Sequence, residues 1–257
     1  MANLGIYLYN NEQIKYIHDS CKIASKALYE ISKIIDIGIT TYEIDKFAED
    51  YIYKCGAKPA FLGYNGFPSS VCTSINEVVV HGIPKKTKKL KKGTIISIDI
   101  GVLYNDYFGD TARTFQVGNV SNEVKQLLNV TETSLAKGIN STIIGNRISD
   151  ISYAIETYVK KFGYSPVKDL VGHGIGKNLH EQPSIPNFID KTRGPKIMNG
   201  MVLAIEPMIN IGTHEVELDN DGWSVLTKDR MLSAHFEHTV AVIDNKPSIL
   251  TKSKLDK

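Results

Sequence analysis

The segment GTIISIDIGVLYNDYFGDTARTF, Gly93 to Phe115, sets two carboxylates into a strand hairpin otherwise made of core residues. Strand alternation puts Ile95, Ser97 and Asp99 on one face and Ile96, Ile98 and Ile100 on the other, so Asp99 points where a buried neighbour would. Asp110 and Ala112 share a face of the return strand. A second pair of acids follows the same logic. In GMVLAIEP, Val202, Ala204 and Glu206 share a face, and Pro207 holds Glu206 extended. In HFEHTVAV, Glu237 follows on a further strand.

Buried carboxylates are strongly disfavoured unless paired, protonated or bound to a cation. Four converging anions cannot pair with one another, and Arg113 is the only arginine close to them in sequence. A divalent cation answers the electrostatics, and two ions suit four acids better than one. An oxygen-rich site with added nitrogen favours Mn, Fe, Co or Zn. The segment DLVGHGIGKNLHEQP supplies that nitrogen. His173 lies between Gly172 and Gly174, which allow close backbone approach, and His180 follows seven residues on. The glycine spacing is GxGxG rather than the dinucleotide fingerprint, and HEQPS does not fit the HExxH zinc helix. His81 ends the apolar run VVVHGIP before a turn.

These groups need elements to hold them. Apolar positions Ile14, Ile17, Cys21, Ala24, Leu28, Ile31 and Ile35 have helical spacing, with Asn10 or Asn11 as N-cap. The stretch from Thr40 opens with the capping box Thr40–Glu43 and stops at Gly56. Strands are expected through SVCTSINEVVVHGIP and the acidic hairpin, then two helices in SNEVKQLLNVTETSLAKGI and ISDISYAIETYVKKFGYS. Strands return in GMVLAIEPMINIG, GWSVLTKD and AHFEHTVAVID. The order helix, helix, strands therefore occurs twice. KKGTIISID (Lys91–Asp99) echoes IMNGMVLAIE, ending at Glu206, and each copy is followed by a second acid. A pseudo-twofold relating the copies would bring the four acids to the centre of one sheet. The whole of residues 1–257 is expected to form one catalytic α/β domain, with a polar, loosely held tail from Lys246.

Composition narrows the setting. The 257 residues carry a net charge of +2, which gives no reason to expect a nucleic-acid or membrane partner. Cys21, Cys55 and Cys72 form no CxxC pair and read as reduced thiols of an intracellular protein. The N-terminus MANLGIYLYNNEQ has no secretory pattern, and no window approaches the ~20 apolar residues of a spanning helix. A cytoplasmic location follows as the expectation. The run PKKTKKLKKG puts six lysines into eight residues, Lys85 to Lys92. It reads first as a solvated loop and leaves open docking on an anionic surface such as a ribosome.

Taken together, SVCTSINEVVVHGIP, DIGVLYNDYFGDTARTF, GHGIGKNLHEQP, LAIEPM and FEHTVAV resemble the type I methionine aminopeptidases, in the same order and over nearly the whole chain. The resemblance implies a pita-bread fold with a central antiparallel sheet. It implies hydrolytic removal of the initiator methionine from nascent polypeptides, before a small second residue, by a hydroxide activated at a dinuclear metal centre. Its metal ligands map to Asp99, Asp110, His173, Glu206 and Glu237, with Asp110 and Glu237 bridging two ions. Glu206 would also carry the proton, His180 would donate to the scissile carbonyl, and His81 would contact the leaving nitrogen. The methionine pocket maps to Phe61, Tyr64, Phe67, Cys72, Leu179 and Trp223. Asn76, Val78 and Ser233 match positions that hold a monovalent cation. A monomer is the expectation.

Two residues depart from the pattern. Leu179 replaces a larger aromatic and widens the pocket mouth. His235 stands where Gln is expected; alternation puts it on the face of Glu237, where it would add pH sensitivity near neutrality. The first helix begins within a few residues of the start, so no zinc-finger extension is expected. The second half lacks the large helical insertion of the type II enzymes. Xaa-Pro peptidases of the same fold carry an N-terminal domain that a chain of this length lacks. A non-catalytic relative would have broken ligands, and all five are intact.

Overall fold

The computed structural model describes residues 5–256. Met1–Leu4 of the N-terminal stretch and Lys257 of the tail lie outside the described residues.

Each half opens with two helices. α1 (Asn11–Ser32) starts from a capping box in which the Gln13 N–H donates to Asn10 Oδ1 at 2.9 Å and the Asn10 N–H donates to Gln13 Oε1 at 3.0 Å. α2 (Thr41–Lys54) uses Thr40 and Glu43 in the same way. α3 (Asn122–Asn140) is capped by Ser121, and α4 (Ile148–Val159) completes the second pair. The expected apolar stripe of α1 is the buried one: Ile14, Ile17, Cys21, Ala24, Leu28 and Ile31 all face inward. Ile31, Ile44 and Ile52 pack with Ile96, Ile98 and Ile100 from the outer face of the acidic hairpin. Truncating any of these fully buried isoleucines to Ala costs about 2–5 kcal/mol.

The strands of the first half are β1 (Lys58–Pro59), β2 (Cys72–Ile75), β3 (Val78–Val80), β4 (Ile95–Tyr104) and β5 (Tyr107–Gln116). Those of the second are β6 (Ser165–Pro166), β7 (Gly172–Gly174), β8 (Glu181–Ile185), β9 (Val202–Ile205), β10 (Met208–Asn210), β11 (Val216–Leu218), β12 (Val225–Thr227), β13 (Ser233–His235), β14 (His238–Ile243) and β15 (Lys246–Ile249). β4 and β5 form a ten-rung antiparallel ladder. Asn105 and Asp106 close it with φ of 50° and 61°, the left-handed pair of a type I′ hairpin turn.

The acids do not meet in a single sheet, as the duplication suggested. β1, β4, β2 and β5 form one sheet, and β15-β14-β9-β7-β8 forms another. The two abut along β5 and β14, where threonines replace a continuous backbone ladder. The Glu237 N–H donates to the Ala112 carbonyl at 2.8 Å. Thr111 Oγ1 donates to the Glu237 carbonyl at 2.8 Å, and Thr239 Oγ1 donates to the Asp110 carbonyl at 2.7 Å.

The segment after Lys246 is also better held than expected. β15 pairs with β14 across a second turn of left-handed residues, Asp244 and Asn245. Leu250 and Thr251 are buried, and Asp256 reaches Arg113 at 3.1 Å. Lysines at Lys246, Lys252 and Lys254 make the stretch look polar, but Ile249 and Leu250 between them anchor it. Among the described residues no helix is long and apolar enough to cross a membrane.

Candidate metal centre

Strand register assembles the centre. Asp99 of β4 lies opposite Cys72 of β2 and Ala112 of β5, and Asp110 lies opposite Gly101. From the second half, His173 of β7 lies opposite Ala204 of β9, two residues before Glu206. The glycines beside His173 are required by close approach on either side: a Cβ at Gly172 would meet the Ala204 carbonyl oxygen at 2.4 Å, and one at Gly174 the Gln182 carbonyl oxygen of β8 at 2.3 Å. Glu237 sits in the gap between β13 and β14.

The five residues converge on one cavity of about 530 Å³. Asp110, His173 and Glu237 offer ligand atoms that all lie within 4.8 Å of one another. Glu206 Oε1 is 3.4 Å from His173 Nε2. Arg113 faces away, paired with Glu132 at 2.6 Å and with Asp256. Among the described residues no lysine or arginine pairs with these acids.

The chemistry of the unloaded site follows. Burial, then the charges of Asp110 and Glu206, push Asp99 well above the ordinary carboxylate range. Burial raises Asp110 to about 7. Burial and the Asp110 charge raise Glu206 and Glu237 strongly. Burial lowers His173 to about 3, with neighbouring His180 contributing, so its imidazole is a neutral nitrogen donor. Buried oxygens of Asp99, Asp110 and Glu237 have no hydrogen-bond partner. Unpartnered carboxylate oxygens around a neutral imidazole fit a divalent cation.

The five expected ligands, the six pocket residues, His81 and His180 line this cavity; Asn76, Val78, Ser233 and His235 do not. Phe61, Tyr64, Phe67, Cys72, Leu179 and Trp223 form its apolar wall, with Phe67 and Trp223 edge to face at 5.2 Å. His81 lines it with φ of 57°, a left-handed conformation costly for a non-glycine residue. Burial lowers both His81 and His180, keeping them neutral. His180 Nδ1 is 2.8 Å from the Tyr64 hydroxyl, and its ring meets that of His173 edge to face at 4.3 Å. Sequence reasoning missed Val80, Leu170, Val171 and Met208, which also line the cavity. Leu170 and Val171, apolar residues just before Gly172, were the available signal.

His235 does not match its expected role. It is 1% exposed, and Nε2 lies 3.7 Å from Glu206 Oε2 rather than against Glu237. Burial, with His81 nearby, lowers it to about 3, so it does not titrate near neutrality. Asn76 lies at the turn between β2 and β3, and its carbonyl accepts the Ser233 N–H at 2.9 Å; Val78 opens β3.

Comparison with known proteins accords with this geometry. Residues 15–244 match metallopeptidase family M24. The chain belongs to that family. A methionine aminopeptidase of Clostridium acetobutylicum is 50% identical, the match covering 96% of this chain and 98% of that protein. Methionine aminopeptidase 1 of Bacillus subtilis is 48% identical over 93% of this chain and 96% of its own length. The crystal structure of methionine aminopeptidase from Rickettsia prowazekii superposes with a TM-score of 0.94 at 40% identity, covering 96% of this chain and all of that one. The M24 chain therefore has the pita-bread α/β fold. A prolidase from Pyrococcus furiosus shares the fold alone, at 24% identity and a TM-score of 0.78. Family membership and the Asp110–His173–Glu237 cluster make this a divalent-metal site.

Proposed function

We propose that this M24 chain is a methionine aminopeptidase that removes the N-terminal methionine of peptides and nascent polypeptides. The observation that carries the reading is the joining, in one cavity, of an apolar aromatic pocket and a set of buried, unpartnered carboxylates.

Asp99, Asp110, His173, Glu206 and Glu237 would hold two divalent ions drawn from Co, Mn, Fe and Zn. Such ions supply Lewis acidity, lowering the pKa of a water nucleophile and polarising the scissile carbonyl. The chain's own groups do the rest. Phe61, Phe67, Trp223 and Leu179 enclose the methionine side chain, and the soft Cys72 sulfur suits a thioether neighbour. With the Tyr64 hydroxyl, 2.8 Å from His180 Nδ1, as the donor, the His180 proton would sit on Nε2 to meet the carbonyl oxygen as charge develops. Glu206 carries a proton on its carboxylate from the water to the departing amine. His81, neutral in its buried position, contacts the nitrogen side of the scissile bond. Small second residues would be preferred. Asn76, Val78 and Ser233 would hold a monovalent cation away from the chemistry. The enzyme would act as a cytoplasmic monomer, with Lys85–Lys92 free for contact with the ribosome.

The test is release of methionine from Met-Ala-Ser with and without added metal, beside an Asp99→Asn variant. The expected result is metal-dependent release that the variant largely loses. Turnover without metal, or full activity in the variant, would overturn the mechanism. Preferential cleavage of Xaa-Pro peptides would overturn the substrate assignment.

A further inference from the structure

Residues Ile175–His180 join β7 to β8 without regular structure, yet they carry Leu179 of the pocket wall and His180. Leu179 is almost wholly buried, so the loop is tightly held. Its anchor comes from the far end of the chain. The Tyr9 N–H donates to the Gly200 carbonyl at 2.8 Å, fixing the residue beside β9. Its ring fills the space over Gly176, where a Cβ would meet the ring at 2.3 Å.

The Tyr9 hydroxyl works on both ends of the loop. It accepts the Lys177 N–H at 2.9 Å. It lies 2.8 and 2.9 Å from the two carboxylate oxygens of Glu181 and donates to them. Glu181 Oε1 in turn accepts the Asn178 N–H at 2.8 Å. One phenol therefore ties the residues on either side of Leu179 and His180 to each other. Burial pushes this hydroxyl well above its ordinary range, so it stays protonated and keeps donating. The Lys177 ammonium sits 4.1 Å over the Tyr107 ring, which packs against Tyr9 edge to face. Tyr9 does not itself line the cavity.

We infer that Tyr9 is a positioning residue for peptide cleavage, setting the place of His180 and Leu179 through Lys177 and Glu181. The inference rests on His180 as the donor to the scissile carbonyl. A hydrogen-bond donor displaced by an ångström loses much of its effect on the transition state while ground-state binding changes little.

The experiment is a double-mutant cycle on Met-Ala-Ser with the manganese-loaded full chain, at a temperature well below every variant's Tm. Tyr9→Phe keeps the ring over Gly176 and removes only the hydroxyl. It is expected to lower kcat about tenfold, with KM changed less than about twofold. Tyr9→Ala should lose more in the same parameter. In a His180→Ala background, Tyr9→Phe should cost almost nothing further, because the group it positions is gone. An unchanged kcat in Tyr9→Phe, or an equal loss in both backgrounds, overturns the inference. Full turnover in His180→Ala alone would instead overturn the role given to His180, so the two failures are distinguishable.

Discussion

The two acids of the first half and the two of the second are held by different means. Asp99 and Asp110 sit inside ten-residue strands: Asp99 has ladder partners on both sides, and Asp110 has the β4 ladder on one side. Glu206 and Glu237 sit in breaks between strands: β9 ends at Ile205 before Pro207, and β13 ends at His235 before Phe236. Their backbones are fixed by bonds from elsewhere. Asn187 Nδ2 donates to the Glu206 carbonyl at 3.0 Å, and the Glu237 backbone bonds to Ala112 and Thr111 of the opposite half. The first half is thus a self-supporting platform, and Glu237 is positioned partly by that platform. A duplicated sequence pattern has become an asymmetric site.

The comparison breaks most severely at the platform. Asp110→Asn should abolish methionine release by a factor on the order of 10³ or more, as for groups that act as one unit. It should also lower metal content by atomic absorption. Retained metal with normal turnover would show that the first-half acids are not the anchor.

Metal removal comes next in size and carries a definite pH sign. Asp110 titrates near 4 in the unfolded chain and at about 7 in the folded, unloaded one. The folded form then binds more protons than the unfolded form across that window, so unloaded stability falls as pH rises from about 4 to about 7. Asp99, Glu206 and Glu237 are raised too and add to the same trend. Buried His173 and His235, lowered to about 3, oppose it below about pH 6.5, where the unfolded chain still binds protons at histidine. Calorimetry of chelator-treated protein should therefore show Tm dropping from about pH 6.5 to about pH 8, and added metal should restore more at the higher pH. A Tm that rises over that interval would contradict the burial of uncompensated acids.

The seam between the halves is the next point to probe. Thr239→Val removes the hydroxyl that donates to the Asp110 carbonyl and accepts the Asp110 N–H at 3.2 Å. The buried carbonyl left behind makes this cost about 1–3 kcal/mol in urea denaturation. Activity should fall further than stability alone accounts for, because Asp110 and Glu237 share the seam. An additive, purely structural effect would mean that the halves are positioned independently.

The sequence made the self-supporting parts legible and hid the cross-chain ones. Helix caps at Asn10 and Thr40 and the alternation through β4 are local signals, and each reappears in the structure. The four acids and His173 stood out because charged groups in apolar strands need a partner, and the resemblance joined them into one candidate ligand set. The β7–β8 hairpin was not foreseen as strand, since Gly-His-Gly has no strand propensity and forms only because β9 accepts it. The Tyr9 hub joins residues 172 apart in sequence, a separation with no local periodicity to reveal it. The tail was misjudged because its lysines outweighed the two apolar residues that anchor it.

His235 gives the smallest expected effect and sharpens the contrast between halves. It opens the break that carries Glu237, so its backbone matters: its N–H donates to Thr114 Oγ1 at 2.9 Å, and its carbonyl accepts from the same hydroxyl. Its side chain is another matter. Nε2 has no hydrogen-bond partner, and the imidazole is neutral far above the pH at which it would charge. A charge change near neutrality would require the nearby Glu206 carboxylate to outweigh burial, and burial dominates. His235→Gln keeps the backbone bonds and leaves a neutral polar group beside Glu206. The pH–rate profile between pH 6 and 8 should therefore keep its shape, with kcat altered only a few-fold. A displacement of the acid limb by about half a pH unit or more would mean that the imidazole titrates with the site after all.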